Sequence, residues 1–408
     1  MMKVSAVKSV WILFGAAMLA AGCTKSMAGH AAGPDQVHAT SATPAATLRT
    51  ALNGLFGEHV ILAAAATGAA LDGRETEFKA AAGALDANSV EIARAIGSVY
   101  GADAEQAFLP LWRRHIGFAV DYTVGVATKD QPKQQKAVAD LLAYTQDFGA
   151  FLQSANPHLP KSVVADLVKH HVVTLKDVID AQASRDWPRA YTAQRAASAH
   201  MKMIADPLAS AIVKQFPEKF GGDPQAAASG LRTTLNVALR EHAYLAGAAT
   251  SAALGGRDAE FKAAAAALDG NSVDVARAIG SVYGTDAEQA FLPLWRRHIG
   301  FFVDYTVGVA AKDRTKQDKA VGDLIAYTQD FGAFLQSANP GLPKSVVADL
   351  VKHHVVTLKD VVDAQAATDH ARAFTAVRTA AAHMQMIADP LAETIVKQFP
   401  NRFMATAQ

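Results

Sequence analysis

Apolar positions recur along this chain at three- and four-residue intervals. They predict helices at about 47–71, 75–100, 104–128, 136–155, 160–182 and 186–214. Turn material separates the segments: Asp72-Gly73, Gly101-Ala102-Asp103, Lys129 to Lys133 and Asn156-Pro157. No six-residue stretch alternates as a half-buried strand would. Asp103 followed by Gln106 reads as an N-cap with a capping box. Pro110 and Pro207 fall inside the periodic pattern and mark kinks or first turns.

The whole pattern then occurs again. Leu48 to Phe220 realign with Leu231 to Phe403 at a constant offset of 183, without a gap and with roughly three quarters of positions identical. The expected fold class is all-α, as two homologous helical bundles of about six helices each in tandem. They would occupy 46–220 and 231–404, with a linker at 221–230 that holds Gly-Gly-Asp-Pro.

The N-terminal stretch breaks this periodicity. Lys3 and Lys8 precede an apolar run from Val10 to Ala21, which is shorter than the roughly 20 residues a membrane span needs. The small residues Ala20-Ala21-Gly22 before Cys23 resemble a lipobox, though Ala20 stands where that motif more often has Leu. Residues 1–22 are thus expected to be a lipoprotein signal peptide and Cys23 a lipidated N-terminus, with an ordinary secretory signal cleaved nearby as the alternative. Residues 23–45, rich in Ala, Ser, Gly, Pro and His, read as a flexible tether. The expectation is an extracytoplasmic lipoprotein whose partner is the membrane, on the outer membrane of a diderm cell or the outer face of the cell membrane otherwise.

Composition narrows the chemistry. The chain carries 39 Lys+Arg against 38 Asp+Glu, so no basic excess draws in a phosphate backbone and no nucleic-acid partner is expected. Cys23 is the sole cysteine. A mature fold without other thiols has no disulfide, no thiolate nucleophile and no cysteine-based metal site. Nor is there a Gly-rich phosphate loop, a CxxCH haem attachment or a Ser–His–Asp arrangement. Any metal must be held by nitrogen, oxygen or thioether sulfur.

Helical winding shows where the histidines point. His59 lies in line with Leu48, Leu52, Leu55, Leu62 and Ala66, and His115 with Phe108, Trp112, Ala119, Tyr122 and Val126. His171 is flanked by Val164, Val168, Leu175 and Val178, and His200 shares a face with Ala193, Ala197, Ile204 and Ala211. All four sit near the midpoints of their helices, so bundle packing is expected to bring them to one level with Glu58. The second copy repeats the set as His242, His298, His354, His383 and Glu241. Asn88, Tyr122, Met201 and Met203, with their counterparts Asn271, Tyr305, Met384 and Met386, are candidates for surrounding or supplementary ligands. Met201 and Met203 cannot both share His200's face, because one step turns ~100° and three turn ~300°. His158, His170, His353 and His370 fall on loops or polar edges. Arg113, Arg114 and Asp121 read as a solvated face with a loose Arg114–Asp121 ion pair.

Buried imidazoles without partners cost roughly 1–3 kcal/mol each. A hydrogen-bonded network of His, Glu58, Asn88 and Tyr122 is one remedy, and a transition metal ion is the other. Imidazole with carboxylate suits copper, zinc or iron, and nearby thioethers put copper first. Carboxylate-bridged di-iron bundles use Glu-x-x-His on paired helices, a spacing missing here.

The strings L-R-T-x-L-N, Glu-His, W-R-R-H-I-G-F-x-V-D-Y, A-x-H-M-x-M-I-A-D and I-V-K-Q-F-P resemble a family of bacterial secreted helical domains. The family is often tandem and in some genomes is labelled copper amine oxidase-like. The resemblance covers nearly the whole chain after the leader, and it supplies a label more than a mechanism. No Asn-Tyr dipeptide occurs, so the quinone chemistry of true copper amine oxidases is not expected. The leading expectation is a metal-binding protein for storage, buffering or sensing. A metal-free envelope or interaction module comes second, and a His-rich diiron or haem oxidoreductase third.

Overall fold

Helices of 23 to 29 residues are long enough to form on their own hydrogen bonds, yet they hold together only when each buries its apolar stripe. A computed structural model describes residues 39–404 of the chain. The first copy gives α1 (Pro44–Leu71), α2 (Glu75–Tyr100), α3 (Ala102–Ala127), α4 (Gln131–Ala155), α5 (Lys161–Ala183) and α6 (Trp187–Gln215). The second gives α7 (Ala227–Leu254), α8 (Asp258–Tyr283), α9 (Thr285–Ala310), α10 (Arg314–Ala338), α11 (Lys344–Ala366) and α12 (His370–Gln398), followed by a single turn, α13 (Pro400–Phe403). There is no strand among the described residues. The leader, Cys23 and most of the tether lie outside the described residues.

Local chemistry accounts for the boundaries. Thr43 caps α1 by accepting from the Ala46 N–H, with Pro44 at the first helical position. Asp130 caps α4 through the Lys133 N–H, so that helix starts at Gln131, about a turn earlier than periodicity alone suggests. Asp103 is not a cap. It lies in the first turn of α3, where its charge meets the positive end of the helix dipole, and Gly101 takes the cap position at φ 92°. Pro110 and Pro207 both lie within continuous helices.

Connections of a few residues force sequential helices to run antiparallel, so α1, α3 and α5 share one direction. Within the first copy each helix packs on the next, α6 closes on α1, and α1, α3 and α5 also meet one another. Helices α7 to α12 repeat these neighbours. The histidine-bearing midpoints of α1, α3 and α5 therefore converge.

The described residues form one compact unit. Helix α1 packs along α7, and α6 on α8 mirrors α12 on α2, which is a two-fold relation between copies. Thr50 and its own counterpart Thr233 meet at 3.0 Å on that axis. Arg49 binds Asp206 and the Pro224 carbonyl, while Arg232 binds Asp389 and the Ser41 carbonyl, so each copy holds the other's entry segment. One apolar cluster lies within the first copy, around Phe56, Ile92, Phe108 and Phe148. The other runs from the second copy into the first through Leu62, Leu85, Tyr122 and Leu175, so the copies share a core. By length and composition α1 could cross a membrane, but 67% of its apolar window is buried inside the fold.

Candidate metal centre

Three odd-numbered helices build the site in each half. His59 on α1, His115 on α3 and His171 on α5 are 1%, 6% and 5% exposed, and the nitrogens they can offer lie within 4.8 Å of one another. His242, His298 and His354 form the same triad in the second copy. The His59 and His115 Nε2 atoms stand 3.3 Å apart, as do those of His242 and His298. Two nitrogens bound tetrahedrally at ~2.05 Å from one metal would stand about 3.3 Å apart.

The hydrogen-bond inventory is incomplete around each triad. His59 Nδ1, His115 Nδ1 and both nitrogens of His171 are buried without a partner, as are the Trp112 indole N–H and the Tyr144 hydroxyl. The second copy repeats this at His242, His298, His354, Trp295 and Tyr327. Native proteins leave few such atoms unpaired, and each triad could hold a metal ion. A cavity of about 30 Å³ borders His115, His171, Tyr144 and Met201, and one of about 20 Å³ borders His242, His298 and His354.

Burial keeps these rings neutral. Desolvation, aided by the neighbouring His171, drives His115 down to about 3, and desolvation with His200 drives His171 to about 4. His59 is lowered well below the usual imidazole value by burial and then by His115 and His171. Burial likewise brings His298 to about 4 and His354 to about 3, and lowers His242 well below its usual value. Each ring thus stays neutral through the neutral range, the protonation state that binds metal.

The fourth expected histidine stays outside. His200 Nε2 meets the Leu167 carbonyl at 3.0 Å and its ring stacks on His170 at 4.2 Å; His383 Nε2 meets the Leu350 carbonyl at 3.0 Å and its ring lies tilted against His353 at 4.2 Å. The reason is helical phase: on α6 it is the next residue, Met201, that borders the cavity, and one residue step turns His200 ~100° away from it. His170 and His353 are consequently ring partners of His200 and His383 and not bystanders.

The carboxylates also leave the triads. Glu58, 3% exposed, accepts from Arg378 Nε at 2.9 Å, from Asn88 at 3.1 Å and from the Tyr244 hydroxyl, with Arg240 at 3.6 Å. Burial pushes its pKa up, but Arg240 and Arg378 outweigh that and hold it below the usual range. Glu241 is bound by Arg195 and Asn271. Both acids therefore fasten the two copies together, and Asn88 and Asn271 serve them and not the histidines.

Tyr122 and Tyr305 donate to Asp180 and Asp363, away from the rings. Met203 and Met386 are 59% and 55% exposed, whereas Met201 and Met384 are buried. Arg113 and Arg114 pair with Asp86 and Asp147, and Asp121 faces Lys133, so the Arg114–Asp121 pair does not form. Trp112 packs on both His59 and His115, at 4.9 and 4.6 Å between ring centroids. Tyr144, 5.2 Å from His115 between centroids, and its counterpart Tyr327 are the neighbours that sequence reading missed. The signal was present: Leu141, Tyr144, Phe148 and Leu152 form the apolar stripe of α4, with Tyr144 near its middle.

Compared with models of protein families, with curated proteins and with solved structures, the chain matches none.

Proposed function

We propose that this is a membrane-tethered, extracytoplasmic metal-binding protein with one transition metal ion per copy, copper first, acting in storage, buffering or sensing. The observation that carries the reading is the pair of buried, neutral His₃ clusters whose remaining polar atoms have no protein partner. The ligands would be His59, His115 and His171 in the first copy, and His242, His298 and His354 in the second. Three imidazoles suit copper or zinc, and with both carboxylates engaged at the interface the case for iron is weaker. Met201 beside the first cavity is the thioether best placed to favour reduced copper. The tether through Cys23 and the resemblance to secreted, copper amine oxidase-like domains support the location outside the cytoplasm.

A metal-free module held by a histidine network is the second reading, favoured by the direct His59–His115 contact. It satisfies one pair of nitrogens and leaves the others unpaired. A diiron oxidoreductase is disfavoured because no carboxylate belongs to either triad. Titration of chelator-stripped protein with Cu(I), Cu(II) and Zn(II) decides among them. Saturation at two ions per chain, with copper tighter than zinc, is expected. Absence of stoichiometric binding by any of the three ions would leave the network reading.

A further inference from the structure

Fourteen of sixteen positions around one cavity are the same in both copies, yet the corresponding histidines of the second copy border a far smaller one. It measures about 390 Å³ and runs from exposed Gly73, Glu75, Val120 and Val124 inward to His59 and His115. The differing positions are Glu75, matched by Asp258, and Ala119, matched by Phe302. Phe302 is 7% exposed and lines the corresponding space beside His242 and His298, where about 20 Å³ remains. One side chain thus closes the second centre where the first is reached from the surface.

The chemistry of the wall defines what fits. Apolar side chains such as Ala63, Phe78, Leu85, Ile116 and Leu175 make up most of it. Thr67 donates to Gln182 and Thr123 to the Ala119 carbonyl, so neither hydroxyl hydrogen is free. Glu75 at the mouth is paired with Lys79. At the inner end the His59 and His115 Nε2 atoms bond each other and both Nδ1 atoms are buried, so the wall offers a guest no free polar atom there and no charge to balance a charged one. Pockets of 300–1,000 Å³ with apolar walls and few convergent polar atoms are the usual form of a small-molecule site.

We propose that the first copy alone carries a site for a small, uncharged, apolar molecule whose inner end rests against the His59 and His115 rings. The second copy carries a closed centre. The two copies, alike in sequence, are therefore divided in role: one centre meets an external molecule and the other is sealed. This rests on the histidine centre forming the inner end of the cavity, not on which metal that centre holds.

The test uses N-phenyl-1-naphthylamine, a neutral apolar fluorophore with one N–H, titrated into the metal-free full chain. Ala119→Phe is expected to remove one bound probe per chain relative to wild type, and Phe302→Ala to add one. Thermal melts confirm that both variants are folded, and each variant guards against misfolding of the other. Equal binding by folded Ala119→Phe and wild type, or no gain in folded Phe302→Ala, overturns the proposal. Metal content is measured separately. Two ions per chain with unchanged probe binding would sink the pocket alone, and probe binding as expected without metal would sink the metal reading alone.

Discussion

His171 makes the sharpest statement at the scale of single residues, since both of its nitrogens are buried and unpaired. A buried imidazole held neutral must take up a proton when the chain unfolds below pH ~6.5, so the unfolded state binds more protons there. Stability of the metal-free protein should accordingly fall as pH drops from about 6.5 towards the folded values near 4 and 3. Each such ring contributes a slope of up to about 1.4 kcal/mol per pH unit. His171→Leu should flatten that slope, and at pH 7 it should cost little, because an apolar group replaces an unsatisfied polar one. Urea unfolding of metal-free protein between pH 4 and 8 checks both points; an unchanged slope in the variant would contradict them. That these rings face inward was legible from winding alone. That Glu58 turns away was not, because the arginines and Tyr244 that hold it come from the other copy, and periodicity within one helix carries no information on them.

Among the elements, α1, α3 and α5 explain why a triad forms instead of a foursome. Mid-helix position is shared by all four histidines, yet only those of α1, α3 and α5 come together. Phase around the helix decides which side chain meets the centre: on α6 Met201 borders the cavity, and His200 reaches the Leu167 carbonyl on α5 instead. The same scale holds the packing contrast between α3 and α9. With nearly identical neighbours, a phenylalanine at 119 has a ready-made place, and Ala119→Phe should raise stability by about 1 kcal/mol through cavity filling. Phe302→Ala should lower it by about 3 kcal/mol. Thermal melts or denaturant midpoints read both, and a destabilised Ala119→Phe would mean that the cavity is not shaped as described. The helix ends were less legible: Asp130 starting α4 early is a capping effect, which outweighs the weak hydrophobic signal of that first turn.

For the whole molecule, duplication predicted two alike sets of helices, and the structure adds that they interlock. The fasteners are asymmetric. Glu58 engages Arg378, Arg240, Asn88 and Tyr244, whereas Glu241 has Arg195 and Asn271, because Gly57 and Ile61 stand where the second copy has Arg240 and Tyr244. Removing one partner of a buried ion pair typically costs 3–5 kcal/mol. Arg378→Ala should therefore destabilise by about 3 kcal/mol, and Arg195→Ala by less, since Glu241 retains more contact with water. A shared core further implies one cooperative thermal transition for the full chain. Two separate transitions in calorimetry would show the copies to be independent.

The central claim concerns nitrogen ligands converging twice in one chain, and metal content measures it most directly. Chelator-stripped wild type, His115→Ala, His298→Ala and the double variant are each reloaded with copper, separated from free ion and analysed for metal. Folding of all four is checked by cooperative melting. The account predicts two, one, one and no ions per chain. A folded double variant that retains as much metal as wild type, or a wild type that retains none, would contradict it.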